Sequence, residues 1–289
     1  MKTRLLIQEG FRALMENPLR VLFMMAGTVL GIASLTVVMA MNDGARSTLQ
    51  KHLEGFGYDL IQIRAGGINQ AGPGKRDTTL TVADAQAVML KVEGLGVASP
   101  TYRTGEATAR YRSESTNTSA LGVSLGTFEM GNLEVAHGRA FDLQDQEQMR
   151  RVCILGPTVD SAVLDGEDSP GHKVQFGRVS LQVIGVLQAR GTTGHCYDQD
   201  DIIILPLSTA MRRLDRVDYV SGIQIQTNDL DRIEDQADEI EVALRELHHI
   251  DEGEEDDFVV FTATDIMAFQ MKTVNQLSVL LSALALLCL

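Results

Sequence analysis

The residues of this sequence that could do chemistry are few and scattered. His52, His137, His172, His195, His248 and His249 are spread along the chain, and no two stand at metal-ligand spacing on one element. The densest grouping is His195-Cys196-Tyr197-Asp198-Gln199-Asp200-Asp201, whose donor types suit zinc, but a solvated loop running into the apolar strand Ile202 to Leu205 accounts for it better. The acidic run Asp251 to Asp257 lacks the spacing and central glycine of a helix-loop-helix calcium site and reads as a solvated connection. Gly74-Lys75 fails as a phosphate loop, because Asn69 stands five positions before Gly74 and Arg76 follows Lys75. No Gly-x-Ser-x-Gly elbow and no carboxylate pair with a supporting base occur. The sequence therefore predicts no catalytic residue, no cofactor site and no metal site. Cys153 falls in the apolar run Val152 to Leu155, Cys288 near the chain's end and Cys196 in a polar loop; the spacing leaves a Cys153–Cys196 disulfide open.

The elements that organise these residues begin with Val21 to Met41, an apolar block without a charge. At about 1.5 Å per residue it reaches roughly 30 Å, the thickness of a bilayer's hydrocarbon core. It is longer than the apolar region of a signal peptide, and Val38-Met39-Ala40 makes a poor cleavage site. Lys2, Arg4, Arg12 and Arg20 precede it against Glu9 and Glu16, which places the N-terminus in the cytoplasm and residues 43–268 outside. Residues 1–17 pattern as an amphipathic helix lying on membrane lipid, and 18–42 as the first span. Gly27 and Gly31, four apart, offer a close-packing face to a neighbouring helix. Leu277 to Leu289 is again uncharged, so 269–289 reads as a second span that the sequence enters and does not complete. The formal net charge of −14 is concentrated in the external part, which excludes nucleic acid as a partner and favours solubility.

Within the external part Phe56 to Ala65 alternates as a strand. Residues 66–79 form a glycine-rich loop, and Thr81 with Asp84 makes a capping box for a helix from Val82 to Val92, stopped by Gly94. Val97 to Arg103 is the next strand. The same strand-helix-strand unit returns at Tyr219 to Thr227, residues 230–248 with Leu230, Ile233, Ala237, Ile240, Leu244 and Leu247 inward, and Phe258 to Phe261. Two such units bracketing a long insertion predict a split α+β domain whose halves are residues 43–103 and 216–268. The insertion, 104–215, carries short candidate strands at Ala107 to Arg112, Thr118 to Val123, Val152 to Leu155, Lys173 to Phe176, Val179 to Val186 and Ile202 to Leu205. With one clear helix, Thr158 to Leu164, it reads as a mainly β subdomain.

These segments carry a resemblance. ALMENPLRVLFMMAGTVLGIAS with Asn42 to Ala45, GYDLIQIRAG from 57, LTVADAQAV from 80, GRAF at 138–141, VCILGPTV from 152, VSLQVIGVLQARG from 179, DDIIILPLSTAMRRL from 200 and DDFVVF from 256 are similar, in order and spacing, to MacB/FtsX-like permease subunits of ABC transporters. The resemblance implies a membrane-anchored α+β protein of the inner membrane: a transmembrane helix, a periplasmic porter-like split β-α-β domain with an inserted, mainly β, sabre-like subdomain, and the start of a second transmembrane helix. It further implies a partner ABC ATPase that hydrolyses the ATP, a homo- or heterodimer with another permease, a periplasmic adaptor or outer-membrane partner, and export or extraction of periplasmic substrates. A sensor domain between two spans and a membrane-tethered periplasmic adaptor are the rival readings.

Overall fold

The structure is a computed structural model and describes residues 59–66, 78–130, 133–164, 169–191 and 198–265, with isolated helical positions between 19 and 44 and between 272 and 280. The expected leader, parts of the first apolar block, most of the second, residues 45–58, the 67–77 stretch and residues 192–197 lie outside the described residues. The chain divides into two compact units, residues 1–55 with 264–289, and residues 56–263. At the described positions of the first unit the backbone is helical, and Leu22, Phe23, Met25, Val29 and Ile32 are exposed. Among the described residues no helix is long and apolar enough to cross a membrane.

In the second unit, strand β1 (Leu60–Ala65) buries Ile61, Ile63 and Ala65 and turns Gln62 and Arg64 the other way, the two-residue period of a strand with one face on a core. Helix α1 (Val82–Lys91) starts where the Thr81 side chain accepts from the amide of Asp84 and the Asp84 carboxylate accepts from the amide of Thr81 at 2.7 Å. Its Ala85 and Val88 are buried. Strand β2 (Leu95–Arg103) follows. At the far end of the unit β10 (Gly222–Thr227) leads through a 3₁₀ turn, Leu230–Arg232, into α6 (Ile233–His248) and then β11 (Phe258–Thr262). These four strands pair in the order β11-β1-β10-β2, antiparallel throughout, with β1 between the two late strands. That is the strand order of a ferredoxin-like split β-α-β fold. Two expectations are corrected. The strand begins at Gly222 rather than Tyr219, and Leu230, read as inward, is 55% exposed because the 3₁₀ turn rotates it out of the helix's apolar stripe.

Between the halves lie β3 (Ala107–Tyr111), β4 (Glu114–Val123), α2 (Gly126–Glu129), β5 (Val135–Gly138), α3 (Leu143–Glu147), β6 (Val152–Leu155), α4 (Pro157–Leu164), β7 (Lys173–Phe176), β8 (Val179–Leu187), β9 (Ile202–Pro206) and α5 (Leu207–Thr209), the last running on as a π-helical turn, Ala210–Asp215. The segment thus holds more short helices than the one expected, and a strand, β5, that was not. Its pairing closes on itself: β4 with β3, β3 with β7, β7 with β8, β8 with β6, β6 with β9 and β9 back to β4. Inside this ring of strands lie Cys153, Leu155, Phe176, Val183, Ile203 and Leu205, closed over by Val159 and Val163 of α4 and continuous with the core between sheet and helices. Outside it Ile154, Ile184, Ile202 and Ile204 pack under Phe141 and Phe128. β6 and β9 are therefore buried on both faces, which is why they are apolar at every position instead of alternating.

Closure brings backbone against backbone at two glycines. A Cβ on Gly156 would stand 2.1 Å from the carbonyl oxygen of Asp200, and Gly138, at φ +89°, would place one 2.3 Å from that of Ile184. Replacing Gly156 by Ala is expected to cost about 3 kcal/mol in a urea unfolding experiment. Gly177→Asn, at φ +56° and with only an ordinary contact to Ala107 Cβ at 3.8 Å, should shift stability by less than about 1 kcal/mol.

Candidate functional site

Among the described residues the chemistry-bearing side chains form no metal-binding group, and what the fold builds with most care is the junction between its halves. β2 pairs with β10 along one edge and, over Tyr102 and Arg103, with Gly122 and Leu121 of β4 along the other. The sheet thus runs unbroken from the four-stranded half into the ring. The chain's two crossings between the halves are tied to the same place. Thr104 donates its amide to Ala120 and receives that residue's amide on its hydroxyl, while Ser221 donates to the carbonyl of Thr101 at 2.9 Å and takes the Arg103 amide on its Oγ at 3.0 Å.

Tyr102, 1% exposed, sits at the centre. Its hydroxyl donates to Asp215 at 2.7 Å, and its ring meets Tyr219 edge to face with centroids 5.8 Å apart. Gly122, directly opposite Tyr102, leaves room for the turn after β9: a Cβ there would come within 2.5 Å of Ala210 Cβ. The π-helical turn 210–215 buries Ala210 and Met211 and ends at Arg216 in the left-handed conformation, φ 56°. Hydrogen bonds and close packing thus cross the joint from both strands and the following turn.

Polar ties brace the ring's outer strap. Asp142 caps α3 in a reciprocal box with Asp145, whose fully buried carboxylate also takes Arg139 at 2.7 Å and Arg150 at 3.3 Å. Burial opposes the charge on Asp145, but the hydrogen bond from Arg139, the Asp142 amide and the Arg139 and Arg150 charges outweigh it and hold the carboxyl below its usual range. The Asp142-x-x-Asp145 spacing before Leu143 is the sequence signal for this cap.

The sequence candidates find structural work. Asp200 accepts the amides of Arg190 and Gly191, each at 2.9 Å, and Asp198 accepts the Thr158 hydroxyl at 2.7 Å, so these carboxylates fasten the base of a loop. His195 and Cys196 lie outside the described residues. Cys153 is a free thiol, fully buried, its pKa pushed up by that burial. The run Asp251 to Asp257 is more than solvated: Arg245 pairs with Asp256 and donates to the carbonyl of Asp251, and His248 lies between Asp257 at 2.8 Å and Asp84 at 3.5 Å. That histidine cluster was not legible, since its carboxylates come from distant segments. Among the described residues no group of three or more His, Cys, Asp or Glu is placed to hold a metal ion. Gly31 is buried and Gly27 half-buried, both in helical backbone.

Fold and joint define an α+β domain of two interleaved parts within one compact unit. The sequence pattern of the family described as MacB-like periplasmic core domain matches residues 21–243, and the chain belongs to that family. Macrolide export ATP-binding/permease protein MacB of Bdellovibrio bacteriovorus is 29% identical over 284 residues, 96% of this chain and 43% of the relative. Its counterpart from Rhodospirillum rubrum is 30% identical over 281 residues, 96% of this chain and 42% of the relative. The chain thus spans about two-fifths of the length of these curated relatives. In fold, the described chain is similar to the periplasmic region of MacB from Actinobacillus actinomycetemcomitans, with a TM-score of 0.63 at 19% identity over 76% of this chain and 96% of that one. It is also similar to the extracellular domain of the noncanonical ABC-type transporter YknZ from Gram-positive bacteria, with a TM-score of 0.57 at 20% identity over 70% of this chain and all of that one.

Replacing Asp145 with Asn should cost about 2 kcal/mol at pH 7, because Arg139 and Arg150 are left facing a neutral amide. The depressed carboxyl contributes stability that is complete above the ordinary carboxylate range near pH 4 and is lost as pH falls through the folded value. Urea unfolding between about pH 7 and pH 3 should therefore show the gap between wild type and variant closing on acidification.

Proposed function

We propose that this chain is a permease part of an ABC transporter, whose residues 56–263 stand on the periplasmic side and relay ATP-driven movement to a substrate or partner there. The observation that carries the reading is the junction: an unbroken sheet crossing from the four-stranded half to the ring, locked at Tyr102 and Gly122, suits a lever. Family membership supports it. In this reading the four-stranded half, drawn from residues 43–103 and 216–268, is porter-like, and the ring, 104–215, is the sabre-like insert.

The exposed apolar positions Leu22, Phe23, Met25, Val29 and Ile32, with Val279 and Leu280 at the other end, support spans on either side of the domain. Such a row of exposed side chains is costly in water and favourable in lipid. Gly27 and Gly31 then offer a helix-packing face. ATP hydrolysis belongs to a separate ATPase bound on the cytoplasmic side, the permease works as a pair, and an adaptor or outer-membrane partner receives the periplasmic stroke. The relatives' name points to macrolides as a substrate class to try first.

Alkaline phosphatase fused after residue 263 should be active, and fused after residue 16 inactive, since the enzyme matures only outside the cytoplasm. Reconstituted with the nucleotide-binding subunit from the same genome, the chain should raise that subunit's ATPase rate several-fold. An inactive fusion after 263 would sink the periplasmic assignment, and an unchanged rate would sink the coupling.

A further inference from the structure

The sequence has 39 Asp and Glu against 25 Lys and Arg, and cations across the described fold reach carboxylates: Arg139 and Arg150 share Asp145, Arg212 takes Asp218, Arg232 takes Glu239 and Lys91 takes Glu246. Exposed cations without such a partner also occur singly, at Arg151, Arg213 and Arg216, but on the outer face of β3 and β7 they gather. Burial alternates along these strands so that Thr108 and Arg110 face out from one, Lys173 and Gln175 from the other. Their cross-strand neighbours are Asn117 and Ser115 on β4 and Gln182 and Ser180 on β8, and the turn after β7 adds Arg178. Arg110, Lys173 and Arg178 are exposed and make no hydrogen bond or ion pair. No carboxylate stands among these outward positions. Strand β7 carries the stripe for about 10 Å, from Lys173 to Phe176, and Arg178 stands in the turn at its end.

The opposite pattern lies on α6. Glu234, Asp238 and Glu241 recur four and three residues apart, so they form one line along the helix, all exposed and unpaired. Like charges at these spacings destabilise a helix by a few tenths of a kcal/mol per pair; the helix N-terminus favours Glu234 in its first turn, but the nearby Arg232 and Arg245 are taken by Glu239 and Asp256. The line is about 10 Å long, and Val242, 59% exposed, stands next to Glu241.

We infer that the two surfaces serve each other between copies: the cationic stripe of β3 and β7 on one chain docks against the acidic line of α6 on a second copy. An anionic polymer would occupy the stripe but leave the uncompensated helix charges without a role; a second copy answers both. Contact of either surface with its own kind is excluded by like charge. A twofold arrangement in which each copy offers both surfaces closes at two. The contact is polar apart from Val242, so it is weak and salt-sensitive in solution and relies on the high local concentration of membrane-held chains. The inference rests on the reading that the permease works as a pair, and adds where the pair touches.

The test uses the full chain in a neutral detergent, with self-association measured by sedimentation at about 20 mM and about 500 mM salt. Wild type should associate at least tenfold more weakly at the higher salt. The variants R110E/K173E/R178E and E234K/D238K/E241K should each lose tenfold or more at low salt, and mixing the two should restore association, which also shows that both are folded. Association that neither variant changes, or that the mixture does not restore, overturns the surface assignment and leaves pairing standing. Absence of association in the wild type overturns both. Binding of polygalacturonate that R110E/K173E/R178E abolishes, with self-association unchanged, would overturn it in favour of an anionic glycan.

Discussion

Strand β2 has both of its edges occupied, by β10 for most of its length and by β4 at its end, and the architecture depends on that double commitment. One edge belongs to the four-stranded half and the other to the ring, so neither part can turn without carrying the strand. Each ladder bond contributes only about 1 kcal/mol net, but severing the row here would expose backbone groups in a region where Tyr102 and Val123 are buried. Pro100, which has no donor, stands just before β4 begins its pairing at Thr101, where no ladder bond is asked of it on that side.

This constraint decides what the chain crossings look like. A flexible hinge would be exposed and poor in hydrogen bonds, whereas Thr104 exchanges bonds with Ala120 of β4 and Ser221 bonds to both β1 and β2. The π-helical turn after β9 fits the same logic. Its extra residue per turn keeps Ala210 and Met211 packed while delivering Asp215 to the Tyr102 hydroxyl. Rigidity at this point matches a part that passes movement on, and the polar braces at Asp145 and Asp200 keep the ring's strap and loop base fixed to the same body.

The sequence made the four-stranded half largely legible because its elements obey simple periods. Ile61 and Ile63 alternate with Gln62 and Arg64, Ile223 and Ile225 with Gln224 and Gln226, and Thr81 with Asp84 announces a helix. Tyr219 continued the strand pattern in sequence, but its ring is drawn to Tyr102 and the ladder starts three residues later. The ring was legible as strands and not as a ring, since β6 and β9 are apolar on both faces and carry no signal of which neighbour lies where. β5 escaped because Val135–Gly138 is short, polar and mostly exposed, and pairs only because Gly138 and Gly185 let two backbones meet. Charge was the most misleading channel: single acidic residues in the sequence gave no hint of whether they cap, clasp or stand unpaired.

β1 has consequences for how the protein comes to exist. It lies between β10 and β11 and pairs with no strand near it in sequence. A chain synthesised from its N-terminus therefore releases LIQIRA long before either partner has emerged. Until Gly222–Thr227 and Phe258–Thr262 arrive, both edges of an apolar strand are open to any passing extended chain. The ring, whose strands lie closer together in sequence, completes earlier and waits beside an unfinished sheet. Completion of the four-stranded half therefore runs at the pace set by the last strand to appear.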